Sequence, residues 1–145
     1  MRVPDPEPGR VVRYEYLWRW RAERGAVTAD KDRPVCVVLA RRTGPDGWLV
    51  ALAPVTHSPP AADTIAVEIP PKVARHLSLD PDRSWVIASE VNIDVWPSPD
   101  LRPVSRKSDT CAYGFLPPRL FRSLLDRFAE ARRSGMAGLV DRSQS

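Results

Sequence analysis

The sequence predicts a single α+β domain, mostly antiparallel strands closed by one C-terminal amphipathic helix. Two long apolar runs, Arg33 to Arg42 and Trp48 to Thr56, flank the turn Thr-Gly-Pro-Asp-Gly, the pattern of a β-hairpin. Shorter stretches rich in valine, isoleucine and aromatics recur on both sides of it, separated by proline and glycine. Only the segment that begins at Pro117-Pro118 repeats apolar residues at helical spacing over several turns.

Residues 1–8 carry charges and prolines with no apolar stretch, so they read as a flexible lead-in that lacks a signal-peptide core. Arg10 to Trp18 follows the turn Pro8-Gly9 and is rich in valine and aromatics, which predicts a first strand. Residues 19–32 have mixed charge and little periodicity, predicting a long mobile loop. A loop of that length in a compact domain usually serves a site or a partner. Trp18 and Trp20 interleave with Arg19, Arg21 and Arg24. Such a pattern either lines the two faces of a strand or clamps phosphates and stacks bases.

The hairpin strands are apolar on both faces, so both faces must be covered, by other elements or by a second copy of the chain. A homodimer is therefore expected. Ser58 to Ala62 is a proline-rich connection, Thr64 to Ile69 a short strand, and Pro70 to Leu77 one or two helical turns opened by proline. After the Asp80-Pro81-Asp82 turn, Ser84 to Ile93 reads as a strand that Trp96-Pro97-Ser98-Pro99 ends. Leu101 to Val104 and Ala112 to Phe115 are further short strands. In the helix, Leu120, Phe121, Leu124, Leu125 and Phe128 share one face while Arg119, Arg122, Asp126, Arg127 and Glu130 share the other. It stops near Ser134-Gly135. One domain over 9–134 is expected, with a disordered tail over 135–145.

With 145 residues, 43% of them hydrophobic and 28% charged, the chain fits one globular domain and not a disordered segment. No apolar run approaches the roughly 20 residues of a membrane span, and a cytoplasmic protein is expected. The net charge of +4, carried mostly by arginine, permits a nucleic-acid partner without requiring one. The two cysteines, Cys36 and Cys111, stand far apart, which excludes a disulfide framework and a CxxC metal or redox site. Cys36 reads as a small buried hydrophobe, and His76 as structural.

Counting back from the turn pairs Arg42 with Trp48, Pro34 with Thr56 and Arg33 with His57, within a slip of one residue. A guanidinium, a hydroxyl and an imidazole thus gather at the open end of the hairpin. A twist or bulge at Pro54 would turn Thr56 toward the Arg33 face. The trio suits a phosphodiester, whose cleavage by the RNA's own 2′-hydroxyl needs proton transfer and positive charge on a pentavalent transition state. Arg33 supplies charge, Thr56 a hydrogen bond, and His57 a side chain whose ordinary pKa suits proton transfer. Alternatively, Arg33 pairs with Asp30, Asp32 or Glu90, Thr56 caps the strand, and His57 is an exposed loop residue.

At these residues the chain resembles the MazF/PemK family of toxin endoribonucleases from bacterial toxin–antitoxin pairs. The likeness runs through Pro8-Gly9-Arg10-Val11-Val12, Lys31-Asp32-Arg33-Pro34-Val35, Pro54-Val55-Thr56 and Arg83-Ser84-Trp85-Val86 to the final helix. It implies an SH3-like barrel, a homodimer, cleavage of single-stranded RNA without cofactor or metal, and neutralisation by a cognate antitoxin. By position Arg33 and Thr56 match the family's catalytic pair. Lys31, His57, Ser58, Arg24 and Trp20 are then the expected substrate-binding residues. The chain departs from the family at Glu90 and Asn92, where a Gln-Ile-Arg pattern is usual, and at Asp32, which replaces a glycine and sets a negative charge beside Arg33.

Overall fold

The structure, a computed structural model, describes residues 1–144. Its elements in order are β1 (Arg10–Tyr14), α1 (Arg19–Glu23), β2 (Arg33–Gly44), β3 (Gly47–Thr56), β4 (Ala66–Glu68), α2 (Pro71–His76), β5 (Trp85–Ile87), β6 (Glu90–Trp96), β7 (Leu101–Arg102), β8 (Ala112–Phe115), α3 (Pro118–Arg133) and β9 (Gly138–Asp141). All the strands join one sheet, antiparallel except where β9 runs parallel to β6.

The β2–β3 hairpin is the spine, and its outer neighbours divide along their length. Beside β3, β6 pairs with Trp48 to Leu52 while β5 takes over at Val55 and Thr56. Beside β1, β8 pairs with the first half and β7 with Arg13 and Tyr14. The sheet therefore opens at the end of β3, where Thr56 lies.

Strand alternation fills a core on each face of the spine. Val11, Cys36, Ala53 and Val55 pack with Ala74 of α2 and Leu124 of α3, while Val12, Val35, Val37, Val50 and Leu52 pack with Tyr16, Trp96 and Leu101. Most of both hairpin faces is thus covered from within the chain, Leu39 excepted, so the need to cover them no longer by itself requires a second copy. Leu124 is fully buried; truncating it to alanine is expected to cost about 2–5 kcal/mol.

The strand expected over Ser84 to Ile93 is broken at Ala88 and Ser89 into β5 and β6, which pair with different stretches of β3. Four further expectations are corrected. The first strand ends at Tyr14 instead of Trp18, because the Asn92 side chain captures the backbone of Leu17 in place of a ladder partner: its Oδ1 accepts from Leu17 N at 2.9 Å and its Nδ2 donates to Leu17 O at 2.8 Å. The long loop contains α1. The lead-in is tied down, since Arg2 bridges to Thr110 and Trp96 Nε1 donates to Pro4 O at 3.0 Å. The tail expected to fray forms β9 because the outer edge of β6 is open to it and because Arg142 beyond it is buried, donating to Tyr14 Oη at 2.8 Å and to Asp100 Oδ2 at 2.8 Å. Ser145 lies outside the described residues. Among those described, no helix is long and apolar enough to cross a membrane.

Candidate functional site

The site begins with a register shift. The hairpin pairs Arg42 with Trp48 near the turn but Val35 with Pro54 farther out, because one extra residue sits in β2 between Val37 and Leu39. This bulge at Val38, not at Pro54, moves the pairing by one. Continued outward, it sets Arg33 opposite Thr56 instead of His57, and opposed side chains share a face. On its other side Arg33 pairs with Tyr14 of β1.

Arg33 makes no ion pair among the described residues, although Asp30 acts on it electrostatically. Its guanidinium carbon lies 4.9 Å from the centroid of the Trp18 ring, and its only hydrogen bond among the described residues is a long one from Nη1 to Val55 O, 3.4 Å. Its Nε is buried with no hydrogen-bond partner among the described residues. Two of the carboxylates that could have paired with it are taken: Asp32 binds Arg13 Nε, and Glu90 Oε2 accepts from Tyr16 Oη at 2.8 Å and Arg19 N at 3.0 Å. Burial lowers the Arg33 pKa, against the smaller pull of Asp30 and Tyr16. Burial likewise raises the Glu90 carboxyl above its usual range, although the Arg19 N–H and the Tyr16 hydroxyl partly offset it.

Thr56 Oγ1 accepts from Ser58 N at 3.1 Å, so the strand-end role is real. The hydroxyl proton stays free to donate. His57 turns its Nδ1 to Arg83 O and its Nε2 to Asp80 Oδ2, each at 3.2 Å. Both are acceptors, so the ring donates to both only when doubly protonated.

Arg33, Thr56, His57, Ser58, Lys31, Trp20 and Trp18 line one cleft of about 430 Å³, with Glu90 among its walls. Of the residues expected to bind substrate only Arg24 is outside it; its guanidinium carbon lies 5.3 Å from the Trp20 ring centroid. A second cleft of about 250 Å³ shares Lys31, Arg33 and His57 and adds Arg13, Asp32, Tyr113, Ser84 and Asp80. There Arg13 Nη1 donates to Tyr113 Oη at 2.7 Å. Arg13 holds the Asp32 carboxyl below the usual carboxylate range, chiefly through its hydrogen bond, and burial raises the Tyr113 hydroxyl.

Sequence reasoning missed Arg13, Tyr113 and the structural part played by Asn92. Arg13 and Tyr113 are far apart in sequence and meet only because β8 lies against β1. Among the described residues no group of three or more His, Cys, Asp and Glu side chains gathers as a metal site would require. The chain matches no protein-family model, and no curated protein matches it in sequence.

Proposed function

We propose that the chain is a toxin-like endoribonuclease of the MazF/PemK kind, an SH3-like barrel that cleaves single-stranded RNA at a phosphate held between Arg33 and Thr56. The observation that carries this reading is Arg33 itself: a half-buried guanidinium over the Trp18 ring, in one cleft with the Thr56 hydroxyl, with a buried donor that no described residue satisfies. An unmet buried donor costs about 1–3 kcal/mol. A phosphate oxygen would supply the acceptor, and the planar fork of arginine matches it.

The chemistry follows from the substrate. The ribose 2′-oxygen attacks phosphorus, an O2′–P bond forms, the P–O5′ bond breaks, and a cyclic phosphate and a 5′-hydroxyl result. Arg33 and the Thr56 hydroxyl neutralise charge on the phosphorane oxygens, and His57 at the rim moves protons. DNA lacks the nucleophile, so the reading is specific for RNA. No group beyond these side chains and the 2′-hydroxyl is required.

The same proposal includes a homodimer, a cognate antitoxin and a cytoplasmic setting. The support for a second copy is an apolar surface patch that includes one residue of the hairpin, Leu39 of β2. Exposed Leu39, Leu125 and Leu139 border an apolar cleft of about 480 Å³ with Val91 and Phe128.

The test is cleavage of a fluorescent single-stranded RNA with chelator present. Arg33→Ala is expected to lower kcat/KM by about 10²- to 10³-fold, the size of losing one transition-state donor, without lowering the thermal midpoint. RNA bound but left intact by the native protein would instead establish a catalytically silent binding barrel, a reading favoured by the engagement of Thr56 Oγ1 with Ser58 N.

A further inference from the structure

We infer that the two clefts form one groove with chemically different ends, so that the minimal ligand is a dinucleotide step: one base stacked without regard to identity on the tryptophan side, the other read by hydrogen bonds on the Tyr113 side. The inference rests on the RNA reading above and goes on to assign where selectivity resides.

Lys31, Arg33 and His57 line both clefts. A phosphodiester seated at Arg33 necessarily carries a nucleoside in each direction, and each direction has a cleft. The cavities differ in kind. On one side are the Trp18 and Trp20 rings with Pro59, Pro60 and Ile87; Trp20 is 51% exposed and has the Arg21 and Arg24 guanidinium carbons 5.8 and 5.3 Å from its ring centroid. Aromatic faces flanked by arginine bind any base, because every base has a π-face.

The other side is built for discrimination. Tyr113 Oη accepts from Arg13, which leaves the phenol proton to donate. Beyond Arg13, no other described residue donates to the Asp32 carboxylate. The Ser84 Oγ is buried without a partner there, in a residue only 1% exposed. Arg13 and Asp32 neutralise each other and Asp80 lies against His57, so what this side adds is directed donors and acceptors. A base edge that fails to match them leaves them unpaired, which discriminates by about 10-fold or more.

A library of single-stranded RNA randomised around one fixed site, with cut ends sequenced, tests this. The native protein should show base preference on one side of the cut only. Trp20→Ala should slow cleavage about 10-fold at all sequences alike. Tyr113→Phe should flatten the preference and slow the preferred sequence about 10-fold; Ser84→Ala, which gives up no hydrogen bond of the fold, should flatten it as well. Cutting with preference unchanged in both polar-side variants overturns the inference and leaves the nuclease reading standing. If the native protein binds but does not cut, the bound fraction is sequenced: a one-sided preference lost in Tyr113→Phe and Ser84→Ala upholds the inference without the nuclease, and its absence overturns both.

Discussion

The charge of Asp32 beside Arg33 is quenched by Arg13. Sequence adjacency placed a carboxylate next to the key cation, but Asp32, just before β2, binds Arg13 of β1. Adjacency in sequence was legible; the partner across the sheet was not, because register decides it. The pairing has a pH signature. The Asp32 pKa is lowered, so its stabilisation is present above the ordinary value of 3.8 and is lost as pH falls through the lowered one. Asp32→Asn should therefore remove part of the acid-side loss of thermal midpoint, by less than about 1 kcal/mol since the pair is partly exposed. Glu90 runs the other way. Burial raises its pKa, so its stabilising contribution is fullest when protonated and declines as pH rises from 4.5 through the raised value. Glu90→Gln should flatten that decline; thermal midpoints between pH 3 and 7 for both variants check the opposite signs.

The hairpin, the final helix and most short strands were legible as elements because each carries its own period or its own proline and glycine boundaries. What was not legible depends on contacts between elements. The Val38 bulge, which sets Arg33 opposite Thr56, follows from packing on both faces of β2 and leaves no mark in the composition of the run. Strand β9 is short and follows a helix that ends in arginines, so it resembles a tail until Arg142 is seen at its end, bonded to Tyr14 and Asp100. This strand also backs the site. Its Gly138 lies so close to Arg19 of α1 that an added Cβ would collide with the Arg19 guanidinium, and α1 carries Trp20. Arg142→Ala leaves the partly buried Asp100 carboxylate and the buried Tyr14 hydroxyl without their cation, a change expected to cost about 1–3 kcal/mol. Urea unfolding should register that loss, and an unchanged midpoint would mean that β9 is an appendage and not a strut.

At the scale of the whole molecule, the sequence led to a dimer by a step that the fold removes. Both faces of the hairpin were apolar and needed cover; α2 and α3 supply it on one face, and the Tyr16, Trp96 and Leu101 side chains on the other. A surface that the periodicity did not single out takes over the argument. Leu39 is 64% exposed and Leu139 is 59% exposed, and they border one apolar cleft although they come from β2 and β9. Leu39 follows the Val38 bulge and shares the cleft with Leu125 and Phe128 of α3, and Leu139 belongs to β9, which pairs only with β6. Soluble monomers seldom expose contiguous apolar patches of that kind. The proposed homodimer is therefore expected to form through them, and sedimentation velocity at micromolar concentration should show a dimer. Leu139→Glu should convert it to a monomer while leaving the unfolding midpoint within about 0.5 kcal/mol of native, as substitutions at exposed positions do. Because the Arg33 cleft lies at the open end of the hairpin and not among these leucines, a monomeric Leu139→Glu protein that still cuts RNA would show each copy to hold a complete site. A variant that sediments like the native protein would remove this surface from the dimer proposal.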